Sequence, residues 1–271
     1  MVYINNRHTF LQLEKIMYNK IELKKVQERL LSLAVATRDI LERENIPYFI
    51  TYGTLLGAVR HKGFIPWDDD FDFYLFDESY DDALKVLKQN LPNNMFLEYF
   101  DTEPLYFHAW AHVKDLRTKR DCKQFPQDSV YAHQGVSIDL YRIKRIKEDE
   151  EILYRTNEHI KYLDRRKKLH LITEEEYQAR IMKLMPVVIK ETAKSQTNEY
   201  NSRDIYATHI IYNDRLYPEE LFPLRRYEFE GERFYGPNNY DVFLKRCYGD
   251  YMKLPPEEER FPHNTNVVFI D

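Results

Sequence analysis

The chain has 271 residues, of which 43% are hydrophobic and 31% charged, and its formal net charge is −5. This length allows a sizeable core, and no run approaches the roughly 20 apolar residues of a membrane-spanning helix. Forty basic against 45 acidic residues argue against a non-specific nucleic-acid binder. The first residues lack the pattern of a signal peptide, and the two cysteines, Cys122 and Cys247, predict reduced thiols and a cytoplasmic protein.

The hydrophobic pattern predicts alternating helices and strands in the first half of the chain. Apolar positions at helical spacing predict a helix over 21–45. A buried strand at 48–52 follows, and Thr54 is expected to cap a short helix over 54–60. The remaining predicted elements are strands at 71–76, 96–100, 107–113 and 135–141, and a surface helix over 77–90.

The character of the sequence changes near residue 148. Two highly charged helices are predicted over 150–168 and 174–200, before an aromatic, proline-rich stretch. The order of elements predicts an α/β (α+β) fold with a mixed sheet. We expect a catalytic core over 1–145 and a helical and C-terminal region over 146–271 packed on it.

Glycine is rare, and its distribution points to one segment. Three of the seven glycines, Gly53, Gly57 and Gly63, fall within eleven residues, which predicts tight turns or close approach of the backbone to a ligand. A strand that runs through Gly53 into a helix predicts backbone N–H groups that bind an anion. Arg60 and Lys62 would add positive charge for a phosphate.

Acidic residues follow the same segment. Asp70 and Asp72 alternate along a predicted strand, so both side chains face one side. Two such carboxylates repel each other unless a cation lies between them, and hard oxygen ligands favour Mg²⁺ or Mn²⁺. Asp139 lies between Ile138 and Leu140 in another strand pattern, where a carboxylate needs a partner or a metal. A solvated acidic loop and a water-facing aspartate are the alternative interpretations.

Residues 53–70 (GTLLGAVRHKGFIPWDDD) and Asp72 resemble the LicD family of phosphocholine transferases, with fukutin-type ribitol-phosphate transferases as distant relatives. Gly53 and Thr54 followed by Asp70 and Asp72 resemble the signature of the nucleotidyltransferase fold. The resemblance continues in four further segments: 113–118 (VKDLRT), 135–140 (GVSIDL), 237–241 (PNNYD) and 248–256 (YGDYMKLPP).

The resemblance implies a nucleotidyltransferase-like mixed sheet with flanking helices. It also implies a metal-dependent phosphotransferase that moves phosphocholine, or a similar phospho-alcohol, from a CDP-activated donor such as CDP-choline. The acceptor would be a hydroxyl of a cell-surface glycan, either a teichoic acid precursor or lipopolysaccharide. Asp70, Asp72 and Asp139 would hold Mg²⁺ or Mn²⁺, and Asp139 would act as ligand or as general base. The groups expected to bind the donor are Gly53, Thr54, Arg60, Lys62, Lys114 and Arg117.

Three other functions fit parts of the pattern: a DxD-type glycosyltransferase, a nucleotidyltransferase acting on a sugar acceptor, and a non-catalytic glycan-binding module. A trimethylammonium group would be recognised by aromatic faces. The candidates near the motif strands are Trp67, Tyr106, Trp110 and Tyr131.

Two groups of polar residues are less informative. The basic cluster on the helix 150–168 is interpreted as a solvated face or as a contact with anionic lipid, which would place the protein at the inner face of the membrane. No role is assigned to His61, His112 or His133. The residues of the basic cluster are Lys161, Arg165, Arg166, Lys167 and Lys168.

Overall fold

The computed structural model describes residues 5–121, 126–196, 202–208, 214–262 and 266–270, with side chains from residue 22 onward except those of residues 127 and 196. Cys122 and the end of the predicted helix 174–200 lie outside the described residues. The helices are α1 (Asn5–Arg43), α2 (Tyr52–Arg60), α3 (Tyr80–Asn90), α4 (Glu151–Lys168), α5 (Glu174–Gln196), α6 (Pro218–Leu221) and α7 (Tyr240–Tyr248). The strands are β1 (Tyr48–Ile50), β2 (Asp72–Phe76), β3 (Met95–Glu98), β4 (Ala111–Asp115), β5 (Thr118–Arg120), β6 (Ser137–Lys147), β7 (Asp204–Ala207), β8 (Arg225–Phe229), β9 (Glu232–Gly236) and β10 (Val267–Phe269).

A six-stranded mixed sheet forms the centre of the protein. Its order is β1-β2-β6-β4-β3, and β7 pairs with the far end of β6. The strands β2 and β6 are parallel, while the other pairs in this sheet are antiparallel. Every position of β2 is buried, as expected for a central strand that is covered on both faces. The predicted α/β fold with a mixed sheet is confirmed.

Alternation along β2 separates a packing face from a polar face. Phe73 and the preceding Phe71 point to one face, where Phe71 packs 5.1 Å from Phe229 and 5.2 Å from Phe234 of the β8–β9 hairpin, measured between ring centroids. Asp72 points to the opposite face. The aromatic packing fixes the register of β2, because a shift by one residue would turn the aromatic side chains away from their partners.

The first strand–helix turn differs from the prediction. The strand ends at Ile50, and α2 already begins at Tyr52, with Thr51 at the N-cap position. Thr54 is therefore not the cap but a buried residue of the first turn. Its hydroxyl oxygen accepts a hydrogen bond of 2.8 Å from the backbone N–H of Asp72, so Thr54 joins α2 to the start of β2.

Other boundaries also move. The first helix begins at Asn5 instead of residue 21, and the strand predicted at 107–113 begins only at Ala111. The preceding residues leave the sheet because Tyr106 and Phe107 pack with Tyr131 in a separate buried cluster.

The region after residue 145 contributes to the same sheet. The strand β6 continues to Lys147, and β7 pairs with its last four residues. A buried carboxylate, Asp214, accepts hydrogen bonds from the hydroxyls of Tyr52 (2.7 Å) and Tyr74 (3.0 Å) and forms an ion pair with Arg155 of α4. The boundary predicted at residue 145 stays a prediction. Across the described residues, none of the helices is both long and apolar enough to span a bilayer.

Candidate active site

Two of the predicted carboxylates start from adjacent backbone positions. Asp72 opens β2, and its register partner on the parallel strand β6 is Asp139. The backbone N–H of Asp139 donates a hydrogen bond of 2.9 Å to the carbonyl oxygen of Phe71. Since neighbouring strands lie about 4.8 Å apart, the two carboxylates leave the sheet side by side.

Further negative charge surrounds this pair. A Cβ atom added to Gly53 would lie 2.9 Å from Oδ2 of Asp68 and 3.7 Å from Oδ1 of Asp70. Burial, followed by the charges of Asp70, Asp139 and Asp68, raises the pKa of Asp72 well above its usual range. The first turn of α2 therefore faces a cluster of carboxylates rather than a basic phosphate cradle.

The carboxylates of this cluster are suitable ligands for a hard divalent cation, but they do not surround a cation site on their own. Within the part of the chain that the structure describes, no three acidic, histidine or cysteine side chains converge as a metal site. Mg²⁺ is usually bound through one or two carboxylates together with phosphate oxygens of the substrate. Asp70 and Asp72 would therefore fit an open magnesium site whose other ligands come from water or a bound phosphate group, and not a closed protein cage.

Asp139 has a different environment from Asp72. The hydroxyl of Tyr141 donates a hydrogen bond of 2.7 Å to its Oδ2, and Nε2 of His112 lies 3.2 Å from its Oδ1. Burial acts to raise the pKa of Asp139, but the charge and hydrogen bonding of His112 and the hydrogen bond from Tyr141 outweigh it, so the pKa is lowered. Asp139 is thus held as a carboxylate.

His112, which the sequence analysis left without a role, links Asp139 to a second acid. Its Nδ1 lies 3.0 Å from Oε2 of Glu98, while the indole N–H of Trp110 lies 3.0 Å from its Nε2. Burial alone would lower the pKa of His112, but Asp139 and Glu98 raise it. A histidine between two carboxylates can hold or pass one proton. The available signal was a histidine between the apolar residues Ala111 and Val113 of a predicted strand, but its partner Glu98 lies on another strand.

Each of the predicted phosphate-binding cations has its own set of contacts. Arg60 donates a hydrogen bond of 2.6 Å to the carbonyl oxygen of Tyr251. Burial lowers the pKa of Arg60, and the nearby Tyr248 opposes this effect. Partial desolvation of Tyr248, which is still 43% exposed, and then the charges of Asp72 and other site carboxylates raise the pKa of Tyr248. Arg60 thus approaches Tyr248, which in turn lies within the field of the site carboxylates. Lys62 has a positive φ of 60° in the loop after α2, and its carbonyl oxygen accepts a hydrogen bond from the backbone of the β8–β9 turn.

Lys114 and Arg117 do not join the site. The ammonium of Lys114 is fully buried and pairs with Glu98 at 2.6 Å. Burial lowers its pKa, and Glu98 opposes this. Arg117 contacts Asp115 at 3.2 Å in the turn after β4. At about 3.3 Å per residue, the stretch of chain from His112 to Arg117 is roughly 16 Å long. The structure thus makes Lys114 a core residue and separates Arg117 from the carboxylates.

One of the four aromatic candidates packs next to Asp139, and a second, Tyr106, contacts His112: its hydroxyl lies 3.3 Å from Nδ1 of that ring. The ring of Trp110 packs 5.3 Å from that of Tyr141, next to Asp139. Tyr106 and Tyr131 belong to the separate buried cluster, and Trp67 packs under the guanidinium of Arg260 at 5.3 Å.

The basic cluster of α4 is more than a solvated face. The guanidinium of Arg165 lies 3.5 Å above the ring of Phe100, and that of Arg166 lies 5.5 Å above the ring of Phe107. Lys167 forms an ion pair with Glu174 of α5. These contacts attach the two helices to each other and to the aromatic cluster.

The glycine cluster has mainly a packing role. A Cβ atom on Gly57 would lie 2.4 Å from the carbonyl oxygen of Gly63, and one on Gly63 would lie 2.2 Å from the carboxylate of Glu230. These two glycines allow the loop after α2 to pack tightly on the helix and on the β8–β9 turn. Gly53 alone lies at the carboxylates.

Comparison with known proteins gives a family match and two similar proteins. Residues 45–170 match the family model described as the LicD/FKTN/FKRP nucleotidyltransferase domain. The chain is 28% identical to the lipopolysaccharide cholinephosphotransferase LicD of Haemophilus influenzae over 93% of this chain and 99% of that protein. It is also 27% identical to an uncharacterized protein of Rickettsia prowazekii, over 86% of this chain and 58% of that protein. Residues 45–170, which contain Asp70, Asp72 and Asp139, are therefore similar to the nucleotidyltransferase domain of the LicD family.

Proposed function

We propose that this protein transfers phosphocholine from CDP-choline to a hydroxyl group of a lipopolysaccharide or related cell-surface glycan, with Mg²⁺ as cofactor. The observation that carries the proposal is the register pair Asp72 and Asp139, with Asp68 and Asp70 beside it. The relative from Haemophilus influenzae, named a lipopolysaccharide cholinephosphotransferase, supports the transferred group and the acceptor class. Mn²⁺ is the alternative cation, since it has a similar preference for oxygen ligands.

Asp70 and Asp72 would bind the cation, and Asp139 would bind the attacking hydroxyl group of the acceptor. When bound, the cation supplies charge neutralisation for the donor diphosphate and the leaving CMP. Asp72 is suited to this role because its neighbours are carboxylates that make its own charge costly. Arg60, next to Tyr248, would add a second positive charge to the diphosphate.

Asp139 is the best-placed group to accept the proton of the attacking hydroxyl. Tyr141 and His112 keep it ionised and fix its orientation. The proton that arrives at Asp139 stays on its carboxyl group, because Nε2 of His112 already carries the proton that faces Oδ1. General bases of this kind contribute typically 10²–10⁴-fold to the rate.

Trp110 and Tyr141 offer a surface for the trimethylammonium group. Their rings pack against each other beside Asp139, and aromatic faces attract quaternary ammonium groups. In this arrangement the positive headgroup meets both a π-surface and a carboxylate. Trp110→Leu should therefore weaken binding of CDP-choline more than binding of CMP, and calorimetry with both ligands measures the difference.

Release of CMP tests the proposed donor. The purified protein is incubated with Mg²⁺, a glycan acceptor and, in separate reactions, CDP-choline, CDP-ribitol, a UDP-sugar or CTP. We expect CMP from CDP-choline, and no CMP from the same reaction with Asp72→Asn or excess EDTA. The matched control is Asp81→Asn, which removes a carboxylate that is 88% exposed and pairs with Arg142 on the surface.

Each competing function predicts another product. A glycosyltransferase would release UDP from the UDP-sugar, a nucleotidyltransferase would release diphosphate from CTP, and a binding module would release neither. Any of these results in place of CMP release would overturn the proposed reaction.

A further inference from the structure

The helix α5 exposes a row of large apolar side chains. Met182 is 67% exposed, Met185 40% and Ile189 66%. Their spacing of three and four residues places them on one face of the helix. Single exposed apolar residues are common on protein surfaces, but a contiguous apolar row marks an interaction surface.

Positive charge accompanies this row. Residues 177–190 (YQARIMKLMPVVIK) contain Arg180, Lys183 and Lys190 but no acidic residue, in a chain whose acidic residues outnumber its basic ones. All three cations are exposed. Lys183 and Lys190 directly follow Met182 and Ile189 in the sequence, so they lie along the border of the apolar face.

We propose that this face of α5 binds an anionic lipid surface. We call it the apolar–basic face and define it as Met182, Met185 and Ile189 with Lys183 and Lys190; Arg180 lies on the other side of the helix. An apolar stripe bordered by lysine and arginine is the pattern of helices that lie in the plane of a membrane interface. Since α5 cannot span a bilayer, the helix would lie on the lipid surface, with the apolar side chains entering the headgroup region.

The charges favour lipid over a second copy of the chain. In a symmetric dimer through this face, the same patch would meet itself, and the cations of both copies would approach one another. Anionic lipid instead pairs each cation with a phosphate. The inference does not depend on the proposed transferase activity, although a membrane-bound protein would meet lipid-linked acceptors at high local concentration.

Vesicle sedimentation at low salt tests the inference. The full chain is mixed with vesicles made of equal parts phosphatidylglycerol and phosphatidylcholine, or of phosphatidylcholine alone. We expect binding to the anionic vesicles, weaker binding to the neutral ones, and loss of binding as salt screens the charges. Lys183→Gln should reduce partitioning into anionic vesicles about fivefold, the effect expected for one basic residue near such a surface.

The apolar part of the face has its own variants. Met182→Gln combined with Ile189→Gln should reduce partitioning about tenfold or more, because two apolar side chains no longer enter the interface. Val268→Gln, at a residue that is 62% exposed on β10, is the matched control and should bind as the wild type does. Circular dichroism should show unchanged helix content in all variants.

Three results would overturn the inference. The first is equal, salt-insensitive binding of the wild type to both vesicle types, or no binding to either. The second is an equal loss of binding in the Val268 control. The third is a wild-type dimer that the Met182 and Ile189 changes convert to a monomer while vesicle binding persists, since the face would then join two copies.

Discussion

Asp72 and Asp139 occupy one register position of a parallel strand pair, yet their surroundings move their pKa values in opposite directions. Asp72 is buried among other carboxylates, whereas Asp139 lies beside His112 and accepts a hydrogen bond from Tyr141. Neighbouring acids with opposed pKa shifts commonly divide two roles in an active site. Here a bound cation would relieve the electrostatic repulsion around Asp72. Asp139, in contrast, is ionised even when no cation is bound.

The first prediction concerns the stability of the metal-free protein. A carboxyl whose pKa is raised by folding destabilises the folded state above its unfolded pKa of about 3.9, and the penalty grows until the pH passes the raised value. Asp72→Asn removes this penalty. In EDTA the variant should therefore melt above the wild type at pH 8, and the gain should disappear as the pH approaches 4.

Scanning calorimetry at several pH values measures this effect. A gain of 1 kcal/mol corresponds to roughly 2–4 °C for a protein of this size. Asp81→Asn, on the surface, should not change the melting temperature by more than about 1 °C. A melting temperature of Asp72→Asn below that of the wild type at pH 8 would contradict the assigned repulsion.

The second prediction separates proton transfer from metal binding at Asp139. Asp139→Asn keeps the size of the side chain but removes its basicity. We expect the transfer rate to fall by about 10²–10⁴-fold. Metal affinity without donor should stay unchanged, because Asp139 is already matched by His112 and Tyr141.

Metal titration and single-turnover rates provide the two readouts for Asp139. Weaker metal binding in the absence of donor would make Asp139 a permanent ligand. Wild-type turnover of Asp139→Asn would remove it from the mechanism altogether.

The third prediction concerns the buried pair Glu98 and Lys114. Glu98→Gln leaves the ammonium of Lys114 uncompensated in the core, which should cost about 3–5 kcal/mol of unfolding free energy. Lys114→Met on the Glu98→Gln background removes the stranded charge and should recover part of the loss. Denaturant unfolding of the two variants measures both effects. Equal stabilities of the single and double variants would contradict the role of this ion pair.

The fourth prediction distinguishes the two arginines that the sequence placed near the donor phosphates. Arg60→Gln should raise the KM for the donor about tenfold, equivalent to ~1.4 kcal/mol of binding energy. Arg117→Gln should leave it unchanged, because Arg117 lies in the turn beyond β4. Steady-state kinetics on both variants measures the KM for the donor. An equal rise of this KM in the two variants would contradict the prediction, because the donor would then reach the turn beyond β4.

Local patterns predicted the elements that carry the carboxylates. The strand β2 was predicted over 71–76 from its apolar residues, and the alternation of Asp70 and Asp72 indicated their shared side. The partners of Asp139 could not be found in this way. Glu98, His112 and Asp139 belong to three strands, and their contacts depend on the order and register of the sheet rather than on spacing along the chain.

Tertiary packing also gives two single residues a role that differs from the predicted one. Thr54 was expected as a helix cap, but the helix begins two residues earlier and its hydroxyl binds the backbone of Asp72. Lys114 was expected at a phosphate, but its ammonium pairs with Glu98 inside the core. In both cases the decisive neighbour is distant in sequence, so propensity and motif could not reveal it.

Transfer of isotopically labelled choline tests the central claim most directly. CDP-choline labelled in the choline group is incubated with Mg²⁺, the protein and lipopolysaccharide, and the glycan is then isolated and analysed by mass spectrometry. We predict labelled phosphocholine on the glycan in equal amount to released CMP, abolished by Asp72→Asn and retained by Asp81→Asn. CMP release without label on the glycan, or equal labelling by the Asp72 variant, would contradict the account.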